Sequence, residues 1–160
     1  MKRISLACAI PLFLGACVST PVAPGRAPLV ATSCHAVDEA QVATLFDRWN
    51  DSLQTADAHK VAANYAKRSI LLPTVSNKPR LTDAERVEYF EHFLENRPSG
   101  KIDLRQIDLG CNSAVDAGLY TFTFAGTGAV VHARYTFTYA WLDGQWLITS
   151  HHSSAMPEKQ

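Results

Sequence analysis

Near the C-terminus of this 160-residue chain, Ile148-Thr149-Ser150-His151-His152-Ser153-Ser154-Ala155-Met156-Pro157 places two imidazoles among several hydroxyls. Imidazole gains or loses a proton between pH 5 and 8 and can act as base, acid or metal ligand, while a hydroxyl both donates and accepts. Adjacent strand residues point to opposite faces, so His151 shares a face with Ser153, and His152 with Ser154. The two histidines therefore should not grip one metal ion together. The bland alternative is a solvated strand end. No phosphate-binding glycine loop, Rossmann glycine pattern, GxSxG elbow or HExxH helix occurs, so nucleotide binding, serine hydrolysis and zinc-peptidase chemistry lack support. Nor is there a CxxC or Cys/His spacing for structural zinc.

Charge narrows the partners. With 15 Lys+Arg against 15 Asp+Glu, the chain carries no basic footprint for nucleic acid and no polybasic arm for an anionic membrane. Its 47% apolar content is too high for disorder, and its length suits one domain.

The elements that must hold such a site are legible as periodicities. Val42, Leu45, Phe46, Trp49 and Leu53 fall on one face of a helix predicted from Asp38 to Leu53. Asp57 reads as the N-cap of a short second helix through Val61, Ala62 and Tyr65. Ser69 to Pro73 reads as a short strand. Thr82 and Glu85 form a capping box before a third helix carrying Val87, Phe90, Phe93 and Leu94 and ending ahead of Pro98. Beyond Gly100 the period becomes 2. Strands are predicted over Lys101 to Leu109, Ser113 to Ala125, Val130 to Leu142 and Gln145 to Ser154, joined by turns at Gly110-Cys111-Asn112, Gly126-Thr127-Gly128 and Asp143-Gly144. In the third of these strands Val131, Ala133, Tyr135, Phe137, Tyr139 and Trp141 alternate with a more polar set that includes His132, Arg134, Thr136 and Thr138. The expected class is α+β: a curved antiparallel sheet wrapped on three N-terminal helices, with a cavity between the layers.

The first residues read as an address. Lys2 and Arg3 precede an apolar run from Ile4 to Leu14, too short to span a bilayer and typical of an export signal. Leu14-Gly15-Ala16-Cys17 resembles the bacterial lipobox, which implies a signal peptide over 1–16, lipidation of Cys17, and a periplasmic protein anchored to the outer membrane, since Val18 rather than Asp follows. The alternative is an ordinary signal peptide and a soluble periplasmic protein. Residues 17–32, with three prolines and a glycine after the cysteine, suit a tether, leaving 33–160 as the folded domain. Apart from Cys8 in the signal and Cys17, Cys34 and Cys111 remain, a natural disulfide in an oxidising compartment, with two free thiols as the alternative.

The order of elements resembles the cone-shaped fold of the nuclear-transport-factor-2 and cystatin-like superfamily. DGQWLITSHHSSAMPE, with ILLPTVSNKPR and EYFEHFL, resembles the bacterial branch of the calcium/calmodulin-dependent kinase II association-domain family over about residues 38–158. The HHSSxMP ending resembles the iota-class carbonic anhydrases. The resemblance implies a homodimer built through the sheet, a pocket in the cone, and reversible hydration of carbon dioxide to bicarbonate, in some members without metal. Carried onto this chain, it implies Thr74, Tyr89, His151 and Ser153 as catalytic positions, with His151 and Ser153 preferred over His152 and Ser154 because the site needs one face. Thr74 as a turn residue and Tyr89 as a core aromatic are the plain alternatives. Arg134 is expected to anchor an anion, unless it is a solvated sheet arginine, and His152 to assist substrate binding.

Hydration needs a water relieved of a proton and donors aimed at oxygens that become anionic. The expectation is that His151 takes the proton while Tyr89, Thr74 and Ser153 hold the oxygens. A zinc variant would recruit His132 or His92 beside a strand histidine. The same cone also hosts isomerases, dehydratases and polyketide cyclases, and a non-enzymatic assembly module is a third possibility.

Overall fold

A computed structural model of the protein describes residues 33–74 and 76–157. The expected signal peptide, Cys17 and tether lie outside the described residues.

The chain order is α1 (Glu39–Leu53), α2 (Ala58–Ala62), β1 (Tyr65–Leu72), α3 (Asp83–Leu94), β2 (Pro98–Gly110), β3 (Ser113–Phe124), β4 (Ala129–Leu142) and β5 (Gln145–Ala155). Asp38 caps α1 by accepting from the Gln41 N–H while the Gln41 side chain accepts from Asp38, a reciprocal box that satisfies two otherwise orphaned donors. Thr82 and Glu85 do the same for α3. The amides of Leu81 and Thr82, with Lys78 beside them, hold the Glu85 carboxyl down to about 2. The helices cover one face of a five-stranded sheet ordered β1-β5-β4-β3-β2. The apolar stripe of α1, with Phe46 and Trp49 at its centre, packs on the inward aromatics Phe122, Tyr135 and Phe137.

The four long strands form the expected antiparallel meander. Asp143 and Gly144 both take positive φ between β4 and β5, as a two-residue hairpin turn requires. Gly118 has another reason to be glycine: β2 shifts register between Ile102 and Leu104, and a Cβ at Gly118 would collide with the Leu104 carbonyl oxygen.

Two features differ from the sequence expectation. The first strand begins at Tyr65, not Ser69, because Asn64 ends α2: its amide donates to the Lys60 and Val61 carbonyls, and its own carbonyl accepts from Ile148. Tyr65 thus leaves the helix and opens a strand. That strand pairs parallel to β5, with Leu71 opposite His151 and Leu72 opposite His152, so the sheet is antiparallel with one parallel edge. Its register slips between Tyr65 and Ile70, and the buried Arg86 guanidinium donates to the Ala66 and Ser69 carbonyls at 3.4 Å.

Candidate active site

Between the inner sheet face, α1 and α3 lies a cavity of about 360 Å³. Aromatic and aliphatic side chains make most of its wall, and its polar groups include Thr74, Tyr89, Tyr120, His151 and Ser153. The parallel pairing of β1 with β5 explains the meeting of Thr74 and Ser153: they follow the last pair, Leu72 and His152, by two residues and by one, so the chain leaving β1 is still beside β5.

Ser153 is the hub. Its Oγ lies 2.5 Å from the Thr74 hydroxyl and accepts from the Tyr120 hydroxyl at 2.5 Å. Three hydroxyls own three protons and the two mutual bonds use two. Whichever way the Thr74–Ser153 bond runs, one hydroxyl proton remains for a molecule in the cavity. Tyr120 is set from behind: its ring centroid is 5.0 Å from that of Tyr135, whose hydroxyl donates to Asp116 at 2.8 Å beside Arg105. Tyr89 adds a second donor. Burial pushes its phenol up to about 12, so it keeps its proton at neutral pH.

His151 is sandwiched by Phe137, ring centroids 4.0 Å apart, and the edge of Trp49. Its Nδ1 is 2.8 Å from the Tyr65 hydroxyl, and its Nε2 is buried with no partner in the protein. Burial pushes Tyr65 well above the ordinary tyrosine range, so that hydroxyl retains a proton. Nδ1 is the acceptor it has, which assigns the imidazole proton to Nε2. Desolvation, with His152 nearby, lowers the His151 pKa to about 3. The folded state therefore excludes a proton that the unfolded chain binds below about pH 6.5. Stability is complete above that pH and falls by about 1.4 kcal/mol per unit as pH drops toward 3. Urea unfolding from pH 7 to pH 4 should show this slope and His151→Gln should lack it; parallel curves for the two proteins would overturn the assignment.

Residues 38–157 match the calcium/calmodulin dependent protein kinase II association domain. The chain belongs to that family. A Xanthomonas campestris protein assigned to the same association-domain family is 50% identical, with 80% of this chain and 97% of that one covered and a TM-score of 0.73. The iota-carbonic anhydrase of a cyanobacterium, solved with bicarbonate, shares the fold at 20% identity and TM-score 0.68, covering 78% of this chain and 95% of its own. A nuclear-transport-factor-2-like protein from Streptomyces avermitilis, assigned as a dehydratase, shares it at 10% identity and TM-score 0.67, covering 74% and 96%. No curated protein matches.

In this association-domain chain, two expected substrate-binding residues stand outside the cavity. Arg134 is exposed on the outer sheet face and donates to the Ala155 carbonyl at 3.2 Å, and His152, also exposed, pairs across from Thr136. Both follow strand alternation: their neighbours Ala133, Tyr135 and His151 point inward. The zinc variant meets the same difficulty. His132 contacts Thr121 on the outer face, His92 sits on α3 beside Glu95, and no three His, Cys, Asp or Glu side chains group for a metal among the described residues. Sequence reasoning missed two residues here: Tyr120, which lines the cavity, and Tyr65, whose hydroxyl bonds His151 Nδ1 behind the wall.

Proposed function

We propose that the protein is a carbonic anhydrase, hydrating carbon dioxide reversibly to bicarbonate in this cavity. The observation that carries this is that Thr74, Ser153 and Tyr120, with one hydroxyl proton left over, line the same apolar chamber as Tyr89 and as His151, whose buried Nε2 has no partner. An apolar gas is at home against the aromatic wall, and hydroxyl and imidazole donors on that wall would stabilise the oxygens on which negative charge grows. The bicarbonate-bound neighbour of the same fold, at 20% identity, supports the choice of ligand.

The hydrogen-bond directions recast His151. The sequence suggested a general base, but an imidazole with Nδ1 occupied and the proton on Nε2 serves as a donor to the substrate oxygen. The attacking water instead passes a proton to a serine or threonine oxygen as that hydroxyl gives its own proton to a carbon dioxide oxygen, and the carbonic acid so formed releases a proton to water to become bicarbonate, so no strong base is required. Stopped-flow hydration by the chelated, metal-analysed protein tests the proposal, and a rate no faster than buffer alone would refute it.

A second function has one observation in its favour: the cavity exceeds what bicarbonate fills, as a dehydratase or isomerase acting on an organic substrate would need. The wall residues include no Asp or Glu to pair with His151 as acid and base, which ranks it below hydration. On the family's precedent we also propose a homodimer through the uncovered outer sheet face, with a scattering mass of two chains expected. Lipid attachment at Cys17 would place it at the periplasmic face of the outer membrane.

A further inference from the structure

Hydration converts carbon dioxide and water into bicarbonate and a proton, and that proton must leave a chamber that has nowhere to keep it. His151 and the phenols of Tyr89 and Tyr120 are all strongly shifted against taking up or giving up a proton near neutral pH. Beside the chamber, however, lies a second cavity of about 300 Å³, and Tyr89, Phe93 and Asn96 line both. Ser76, Arg80, Glu88 and His92 complete this outer cavity. Its imidazole is open to solvent, with 76% of the His92 side chain exposed.

The geometry around His92 suits it to carry a proton. Its Nδ1 lies 3.4 Å from Glu95 Oε1, so a hydrogen bond to the carboxylate leaves Nε2 as the acceptor. The other charged groups at this cavity are Glu88, one turn earlier on α3 and 3.9 Å from Lys78, and Arg80, whose guanidinium carbon stands 5.5 Å from the centre of the Tyr89 ring. Lys78 also pairs with Glu85 at 3.3 Å. Glu88 thus shares the cavity wall with the imidazole and Glu95, the C-cap of α3, holds its Nδ1, while Lys78 and Arg80 belong to the loop ahead of the helix.

We infer that His92 is the proton exit of this site, receiving the proton released by hydration through water that crosses the shared Tyr89–Asn96 wall and passing it to buffer. The inference rests on the proposed carbonic anhydrase activity. The proton moves from water in the inner chamber to Nε2 of His92 and then to an external base, and bicarbonate keeps the negative charge, so the balance closes without another reactant.

The test is His92→Gln assayed by stopped flow at low buffer concentration, beside His59→Gln, an exposed histidine that lines neither cavity. Proton export limits kcat but not the interconversion of bound carbon dioxide and bicarbonate. The His92 variant should therefore lose about tenfold in kcat, keep kcat/KM, and recover when imidazole is added, with the His59 variant unchanged. Equal kcat for wild type and His92→Gln at every buffer concentration would overturn the exit while leaving hydration intact. So would a joint fall of kcat and kcat/KM that imidazole does not restore, the mark of a structural role. A wild-type protein without hydration activity would remove both the exit and the function it serves.

Discussion

Ser153→Ala is expected to lower kcat/KM for carbon dioxide hydration by about 10²- to 10³-fold, the usual cost of losing a donor aimed at a developing oxyanion. The size follows from the position of this oxygen at the junction of two bonds, one from Tyr120 and one shared with Thr74. Without it, the remaining hydroxyls lose their common partner and turn to each other or to water, and the proton left for substrate no longer has a fixed direction. Tyr120→Phe keeps the Thr74–Ser153 pair and should cost less, about tenfold. Because Ser153 lines a cavity that water can enter, folding stability should fall by only about 1 kcal/mol. Paired stopped-flow and urea titrations separate the two effects. A serine-to-alanine protein with wild-type kcat/KM would remove Ser153 from the chemistry, and one that failed to fold would place its importance in the architecture.

The legible part of this fold was local. The Thr82–Glu85 capping box, the Asp57 cap, the stripe of α1 and the hairpin turns each depend on residues within a few positions of one another, and each appears where the sequence placed it. The phase of β5 was not local. Trp146 and Ile148 point inward, and uninterrupted alternation would carry Ser150 and His152 in behind them. The pairing instead steps from Tyr139–Ile148 to Thr138–Ser150, leaving Thr149 as an extra residue, and this bulge turns His151 and Ser153 to the cavity. Choosing the cavity-facing pair needed the family resemblance, because nothing in the local pattern announces the bulge.

The missing members of the site were hidden for similar reasons. Tyr120 sits in an ordinary run of inward aromatics with Phe122, and only the folded sheet reveals that its hydroxyl reaches Ser153. Tyr65 depends on a parallel pairing with a strand about eighty positions away, where it meets Ile148 and His151. Arg134 is the opposite case, since the alternation of β4 had already set it beside His132 and Thr136, away from the inward aromatics. There the sequence held the answer, and the attraction of a cation for an anion site outweighed it.

Replacing Cys34 and Cys111 by serine is expected to cost about 4 kcal/mol of folding stability, with kcat unchanged. The two form a disulfide across a sequence separation of 77, and so close most of the domain into one loop. Cutting it lets the unfolded chain regain the conformations that the bridge forbids, an entropy that grows only slowly with loop length but is already large here. The folded side has its own ties at the same place. His35 donates its backbone N–H to Asn112 at 2.6 Å, Asn112 donates to the Ser33 carbonyl at 3.1 Å, and the His35 ring stacks on Trp141 at 3.5 Å. These contacts hold the segment ahead of α1 against the β2–β3 turn without the sulfurs, so the native structure should survive reduction with its geometry intact. None of the residues involved lines either cavity, which is why activity should be spared. Urea unfolding with and without reductant measures the loss, and a difference under about 1 kcal/mol would mean that the unfolded chain is already held compact without the bond. Such a bond persists in an oxidising compartment, where the proposed export would place it. Under that proposal the chain would fold beyond the cytoplasmic chaperones, where a link that acts on the unfolded state and leaves the cavity alone would help most.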